Sequence, residues 1–137
     1  MQGLAERKGT MFRIQVREEF EAAHRIVGYP GKCDRLHGHS WSVEAKVAGK
    51  TLDDLGMLVD FKVVKRELKT ALDRLDHRYL NEMPPFCDGV NPTAEHLAKY
   101  FYEELAAGDI FPPGVMLESV CVWESPHSCA IYEPDGK

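Results

Sequence analysis

Two stretches of the chain alternate between apolar and polar residues, which is the pattern of a β-strand with one buried face. Across residues 12–24 the even positions are apolar up to a final histidine, with Glu18 as the exception, and most odd positions are charged or polar. Across residues 37–47 the odd positions carry histidine, tryptophan and aliphatic residues. The alternation predicts a strand over each stretch. Apolar runs at residues 115–123 and 129–132 predict two more strands, joined by a turn at the Ser-Pro pair between them.

Two segments between the second and third strands show the spacing of amphipathic helices. The first follows Asp60, whose carboxylate can accept hydrogen bonds from the amides of the first turn. The second begins at Asn91-Pro92-Thr93, with proline predicted at the first helical position. Their apolar stripes are Phe61, Val64, Leu68, Leu72 and Leu75 in the first helix, and Ala94, Leu97, Phe101 and Leu105 in the second. The order strand, strand, helix, helix, strand, strand favours an α+β fold, a four-stranded antiparallel sheet with both helices on one face.

Length and composition fit one soluble domain. The chain has 137 residues, of which 44% are apolar and 28% are charged. We expect a single domain over residues 11–137, preceded by an extension over residues 1–10. The formal net charge is −5 and there is no run of lysines and arginines, so nucleic-acid binding is not expected.

The cellular location follows from what the sequence lacks. The first ten residues have no apolar core of the kind that a secretory signal needs, and no window approaches a membrane span of roughly 20 apolar residues. We therefore expect a cytoplasmic protein without membrane contact. In that compartment the four scattered cysteines are expected to be free thiols, ligands or nucleophiles rather than disulfides.

A His-Gly-His motif opens the second predicted strand. Because residues two apart on a strand point the same way, His37 and His39 can bind one ion. His24 is the last residue of the first predicted strand and has the even numbering of that strand's inward-facing residues, so it can supply a third nitrogen. Three neutral histidines leave a fourth zinc position open, which is the arrangement of a catalytic site. The alternative is that these are polar residues at a strand end; surface roles are predicted for His96 and His127.

Cys33 precedes the motif by four residues, in a locally basic loop. Nearby cations and a divalent ion favour the thiolate, which can act as a general base toward a carbon-bound proton. Incidental placement of a loop cysteine is the alternative. The basic loop suits an anionic substrate such as a phosphate ester, with Arg25, Lys32 and Arg35 as candidate contacts.

Two further features carry less weight from the residues alone. In Asp76-His77 a carboxylate can fix the tautomer of an imidazole, although adjacent residues are not expected to bond to each other, so one of them is expected to serve another subunit or the cysteine. Glu124 ends the third long strand and can accept two parallel N–H bonds from an amidine-like ring edge. Their alternatives are a polar pair at a helix end and an exposed charge at a strand end.

Several stretches together resemble the 6-pyruvoyl-tetrahydropterin synthase superfamily. Residues 20–25 and 33–39 carry its histidine and cysteine motifs, and residues 59–61, 75–81 and 91–95 agree in order and spacing. The resemblance covers about residues 11 to 133.

The resemblance implies a T-fold (tunnelling fold) that assembles into a homo-oligomer, a hexamer in this family, with active sites between subunits. Its substrate would be 7,8-dihydroneopterin triphosphate. It implies that zinc is held by His24, His37 and His39. It implies catalytic roles for Cys33, Asp76 and His77, and contacts to the pterin from Glu124 and Thr93.

The loop between the cysteine and the His-Gly-His motif separates the branches of the superfamily. Its three residues resemble the bacterial 6-carboxy-tetrahydropterin synthase branch of queuosine biosynthesis, which releases acetaldehyde and triphosphate. One alternative is the pyruvoyl-forming synthase, which stops after triphosphate elimination and internal redox transfer. Another is a noncatalytic module stabilised by zinc.

Overall fold

The computed structural model describes residues 11–135 of the chain, and the expected extension over residues 1–10 lies outside the described residues. The α-helices and β-strands of these residues are, in chain order, β1 (Phe12–His24), β2 (His37–Gly49), α1 (Phe61–Asp73), β3 (Arg78–Tyr79), α2 (Ala94–Ala107), β4 (Val115–Ser125) and β5 (Ser128–Tyr132). No helix among the described residues is long and apolar enough to cross a membrane.

The sheet has the strand order β3-β1-β2-β4-β5. The four predicted strands are confirmed, and their neighbours pair antiparallel. The expected count of four was nevertheless wrong, because β3 adds a fifth strand that runs parallel to β1 beside Ala22 and Ala23. A two-residue strand carries no alternation for the sequence to reveal. The α+β class and the order of the long elements hold.

The hydrophobic core lies between one face of the sheet and the two helices. Asp60 caps α1 as predicted, since its Oδ1 accepts a hydrogen bond of 2.9 Å from the backbone N–H of Lys62. Phe61 is 54% exposed and does not belong to the buried stripe, because it occupies the first helical turn at the edge of the core. The other predicted members of the stripe are buried: Val64, Leu68, Leu72 and, just beyond the helix, Leu75.

The predicted start of α2 was wrong by two residues. Thr93 is the N-cap, and its Oγ1 accepts a hydrogen bond of 3.1 Å from the backbone N–H of His96. Pro92 therefore precedes the cap instead of occupying the first helical position. This frees its carbonyl to face the end of β1, which contributes to the site described below.

A β-bulge in β4 decides which of its side chains face the core. Val47 of β2 pairs with Leu117 and Lys46 pairs with Ser119, so Glu118 is an extra residue in β4. An extra residue reverses the parity of every position that follows it. Val120 and Val122 are consequently buried in the core, and Glu124, two positions further, reaches the inward-facing histidines of β1 and β2.

Candidate metal centre and active site

Three imidazole rings meet where β1 ends and β2 begins. His24 and His37 are paired residues of the two strands, and His39 lies two positions further along the same face of β2. Their ring centroids are 4.5 to 5.1 Å apart. One ligand atom from each of these rings and one carboxylate oxygen of Glu124 all lie within 4.8 Å of one another. The predicted convergence of the three histidines is confirmed.

Backbone carbonyls fix the tautomers of two of these rings. Nδ1 of His24 lies 2.7 Å from the carbonyl oxygen of Pro92, and Nδ1 of His37 lies 2.6 Å from that of Arg35. A carbonyl oxygen can only accept, so each Nδ1 carries the proton. Each Nε2 is left with a lone pair aimed into the cluster, as in metal sites whose ligands are oriented by a second hydrogen bond.

The Nε2 atoms of His24 and His39 are buried, and neither makes a hydrogen bond within the described residues. Burial lowers the pKa of His24, partly opposed by the Pro92 carbonyl, and burial also lowers the pKa of His39, opposed by Glu124. Both rings therefore favour the neutral form that ligates metals. Orphaned nitrogens at this spacing fit a zinc ion, which accepts imidazole nitrogen and carboxylate oxygen ligands.

Glu124 also belongs to this cluster, although it was expected only as a pterin contact. Its Oε1 lies 2.9 Å from Nε2 of His39, in a contact whose angles do not make a hydrogen bond, and 3.6 Å from Nε2 of His24. The signal was the spacing of Val120, Val122 and Glu124, which share one parity at the end of β4. The sequence does not show whether that parity faces inward, because the bulge that sets it leaves no local pattern.

Cys33 opens onto a cavity beside the histidines. It is half-buried in a single 3₁₀ turn over Lys32–Asp34. A cavity of about 210 Å³ is lined by Cys33 together with His24, Thr93 and Glu124. Four of the predicted site residues, from four separate segments of the chain, are thus brought to one place.

Asp76 and His77 bond to each other, contrary to the expectation that adjacent residues would not. Nδ1 of His77 lies 3.0 Å from Oδ1 of Asp76, because His77 adopts the left-handed backbone conformation, with φ of 59°. The pair is held by one residue of β1: the N–H of Glu21 donates to Asp76 over 2.9 Å, and the N–H of His77 donates to the Glu21 carbonyl over 2.5 Å. The hydrogen bond from Glu21 and the one from His77 lower the pKa of Asp76.

The Asp-His pair and the thiol open onto different cavities of this chain. The His77 side chain is 77% exposed and lines an open cavity of about 510 Å³ that also reaches the cluster residue His39, whereas Cys33 does not line it. The residues that line the Cys33 cavity do not include Asp76 or His77. A single copy therefore presents the two halves of the predicted acid–base machinery separately.

Of the three candidate phosphate contacts, Arg25 is already engaged. Its Nη2 donates to the Asp34 carboxylate over 2.7 Å and its Nε donates to the Asp34 carbonyl over 2.9 Å. Lys32 and Arg35 are exposed and form no ion pair within residues 11–135. His96 and His127 are also exposed and lie outside the histidine cluster, as predicted.

Comparison with known proteins points to one family. A family model described as 6-pyruvoyl tetrahydropterin synthase matches residues 13–135. Its relatives include two proteins named 6-carboxy-5,6,7,8-tetrahydropterin synthase. The protein from Synechocystis is 37% identical, and the match covers 89% of this chain and 93% of the relative. The protein from Bacillus subtilis is also 37% identical, and the match covers 90% of this chain and 86% of the relative. The solved 6-pyruvoyl tetrahydropterin synthase of Caenorhabditis elegans superposes with a TM-score of 0.79 at 27% identity, covering 92% of this chain and 97% of that one. The chain therefore belongs to the 6-pyruvoyl tetrahydropterin synthase family, as its motifs predicted.

Proposed function

We propose that this chain is a zinc-dependent lyase of queuosine biosynthesis. It converts 7,8-dihydroneopterin triphosphate and one water molecule to 6-carboxy-5,6,7,8-tetrahydropterin, acetaldehyde and triphosphate. The observation that carries the proposal is the set of buried, unsatisfied imidazole nitrogens beside a half-buried thiol. The choice of reaction is supported by the relatives named 6-carboxy-5,6,7,8-tetrahydropterin synthase.

His24, His37 and His39 would hold the zinc ion through their Nε2 atoms. When bound, the ion supplies Lewis-acid polarisation of the substrate's side-chain oxygens. The protein contributes the neutral state of the rings and their orientation, which the carbonyls of Pro92 and Arg35 fix.

Cys33 acts on the carbon skeleton from the wall of the same cavity. Its Sγ takes a carbon-bound proton of the substrate side chain as general base. Glu124 stands between the histidine cluster and this cavity, and with the ion held by the three histidines its carboxylate anchors the pterin by accepting N–H bonds from the amidine edge of the ring. Thr93 lines the same cavity, and its hydroxyl can still donate to the pterin because the helix cap uses it only as an acceptor.

Asp76 and His77 complete the acid–base chemistry in a neighbouring copy. With its Nδ1–H donated to Asp76, His77 presents Nε2 to solvent as a proton acceptor. Because this exposed pair does not reach the Cys33 cavity of its own chain, we propose that the protein works in the cytoplasm as a homo-oligomer, a hexamer, with active sites between subunits.

Incubation of the zinc-loaded protein with 7,8-dihydroneopterin triphosphate, followed by mass spectrometry of the pterin product, tests the proposal. We expect the mass of 6-carboxy-tetrahydropterin together with acetaldehyde. The second candidate is the pyruvoyl-forming reaction, favoured by the name of the structurally similar C. elegans protein, and a pyruvoyl-tetrahydropterin mass would establish it instead. Unchanged substrate from folded, zinc-loaded protein would refute both.

A further inference from the structure

The chain contains two asparagines, and both make the same unusual interaction. Oδ1 of Asn81 accepts from the N–H of Arg25 over 2.9 Å, and its Nδ2 donates to the carbonyl of the same residue over 3.0 Å. Oδ1 of Asn91 accepts from the N–H of Val27 over 3.0 Å, and its Nδ2 donates to that carbonyl over 3.1 Å. Each amide thus occupies the N–H and C=O of one backbone residue.

The two amides replace a missing strand. Along a strand the N–H and C=O of residues two apart point toward the same edge, and Arg25 and Val27 keep this alternation although Val27 already lies in a turn, closed by the Tyr29 N–H on the Ile26 carbonyl over 3.2 Å. Asn81 and Asn91 therefore hold one edge of residues 25–27, the segment that directly continues β1 beyond His24. Asn81 follows β3, the parallel neighbour of β1, so its amide prolongs the hydrogen-bonding edge after that strand ends.

The opposite edge of the same segment holds the loop that carries the thiol. The N–H of Ile26 donates to the carbonyl of Cys33 over 2.6 Å. The Arg25 side chain, on the residue that Asn81 holds, makes two hydrogen bonds to Asp34. Residues 25–27 therefore connect the asparagines on one side to Cys33 and its neighbour on the other.

The path from the metal ligand to the thiol depends on this arrangement. His24 is fixed by β1 and by its bond to Pro92, whereas Cys33 lies in an irregular loop with a single 3₁₀ turn. The backbone bond from Ile26 can place Cys33 only while residues 25–27 keep this path between β1 and the turn that Tyr29 closes on the Ile26 carbonyl. No regular strand imposes that path, because β1 ends at His24.

We propose that Asn81 and Asn91 are positioning residues that set the location of the Cys33 thiol relative to the three histidines. The inference rests on the proposed function through the catalytic role of Cys33. The asparagines act through the backbone of residues 25–27, and substitution moves the thiol without removing a metal ligand.

The amide group is required because it both donates and accepts. Alanine removes both bonds, whereas aspartate keeps an acceptor for the N–H but turns a second oxygen toward a carbonyl oxygen. Asn91→Asp also controls for an effect on α2, because a carboxylate two residues before the N-cap interacts favourably with the helix dipole and does not weaken the helix. A loss of activity in the Asn91→Asp variant therefore cannot be ascribed to a weakened α2.

The test compares Asn81→Ala, Asn91→Ala and Asn91→Asp with the wild-type chain, all loaded with zinc. The matched control is Asp53→Ala, because Oδ1 of Asp53 also accepts two backbone hydrogen bonds of 2.9 Å in a loop. That loop follows the end of β2 remote from His37. Zinc content, kcat, KM and amide hydrogen exchange of the peptides covering residues 25–36 are measured for each protein.

We expect each asparagine variant to retain zinc, to lose about 10- to 100-fold in kcat, and to keep KM within about threefold. Exchange over residues 25–36 should be faster by about tenfold, and the control should change neither kcat nor that exchange. The proposal is overturned if exchange there stays at the wild-type rate, or if kcat falls no more than in the control. If the wild-type chain does not turn over the pterin substrate, the proposed function fails, and the exchange measurement alone decides whether the asparagines hold the loop.

Discussion

Removing the metal should cost the protein much of its stability. In the metal-free protein Nε2 of His24 and Nε2 of His39 are buried without a hydrogen bond, and each such group costs about 1–3 kcal/mol. A bound ion satisfies both nitrogens, so zinc should raise the free energy of unfolding by about 2–6 kcal/mol. At about 4 °C per kcal/mol for a domain of this size, the melting temperature should rise by about 8–24 °C.

A leucine in place of His39 separates metal binding from packing. His39→Leu removes an unsatisfied nitrogen, and the one polar group that it leaves, the Glu124 carboxylate, is 34% exposed and can be hydrated instead. The metal-free variant should melt within about 4 °C of the metal-free wild type, or above it, and its response to zinc should shrink to about 4 °C or less. His24→Leu also removes an unsatisfied nitrogen but leaves the Pro92 carbonyl unsatisfied, so the metal-free His24→Leu protein should be less stable than the metal-free His39→Leu protein by about 1–3 kcal/mol.

Differential scanning calorimetry of chelated and zinc-loaded samples measures all of these quantities. Wild-type protein that melts at the same temperature with and without zinc would refute the reasoning, and so would a His39→Leu variant that keeps the full zinc response. A metal-free His39→Leu protein far less stable than the metal-free wild type would show that the ring is held for packing and not for a ligand.

Three further predictions concern the cavity, the assembly and the fold. Cys33→Ala and His77→Ala should each retain zinc and lose about 10²- to 10⁴-fold in kcat. If the active sites lie between copies, refolding the two variants together should restore about a quarter of the wild-type activity, because about a quarter of the sites would then combine an intact Cys33 with an intact His77. No recovery would place each site within one chain. Glu124→Gln should raise KM about 10- to 100-fold in steady-state kinetics, since a charge-assisted bond to the pterin is lost, and an unchanged KM would contradict its anchoring role. Asp60→Ala should lower stability by about 1 kcal/mol in urea titration with kcat unchanged, and an unaltered midpoint would contradict its role as the cap of α1.

The long elements and the histidine cluster could be predicted because their signals are local. Alternation placed His24 on the inward face of β1, and the two-residue spacing of His37 and His39 placed both rings on one face of β2. Register then makes His24 and His37 partners, which a strand pattern can predict without any knowledge of the loop between them.

Other features depend on single residues that carry no periodic signal. The inward direction of Glu124 is set by a bulge at Glu118, and the pairing of Asp76 with His77 depends on one left-handed backbone conformation. The replacement of a strand by two asparagine amides is equally invisible, since Asn81 and Asn91 read as ordinary loop residues. Such contacts arise only when distant segments are brought together.

Acetaldehyde release measured against zinc occupancy tests the central claim most directly. The protein is stripped with a chelator, reloaded with graded amounts of zinc, and supplied with 7,8-dihydroneopterin triphosphate. We predict that the stripped protein is inactive and that the rate of acetaldehyde release rises in proportion to zinc bound, up to one ion per chain. Acetaldehyde release by the stripped protein, or none from protein carrying one zinc ion per chain, would contradict the account.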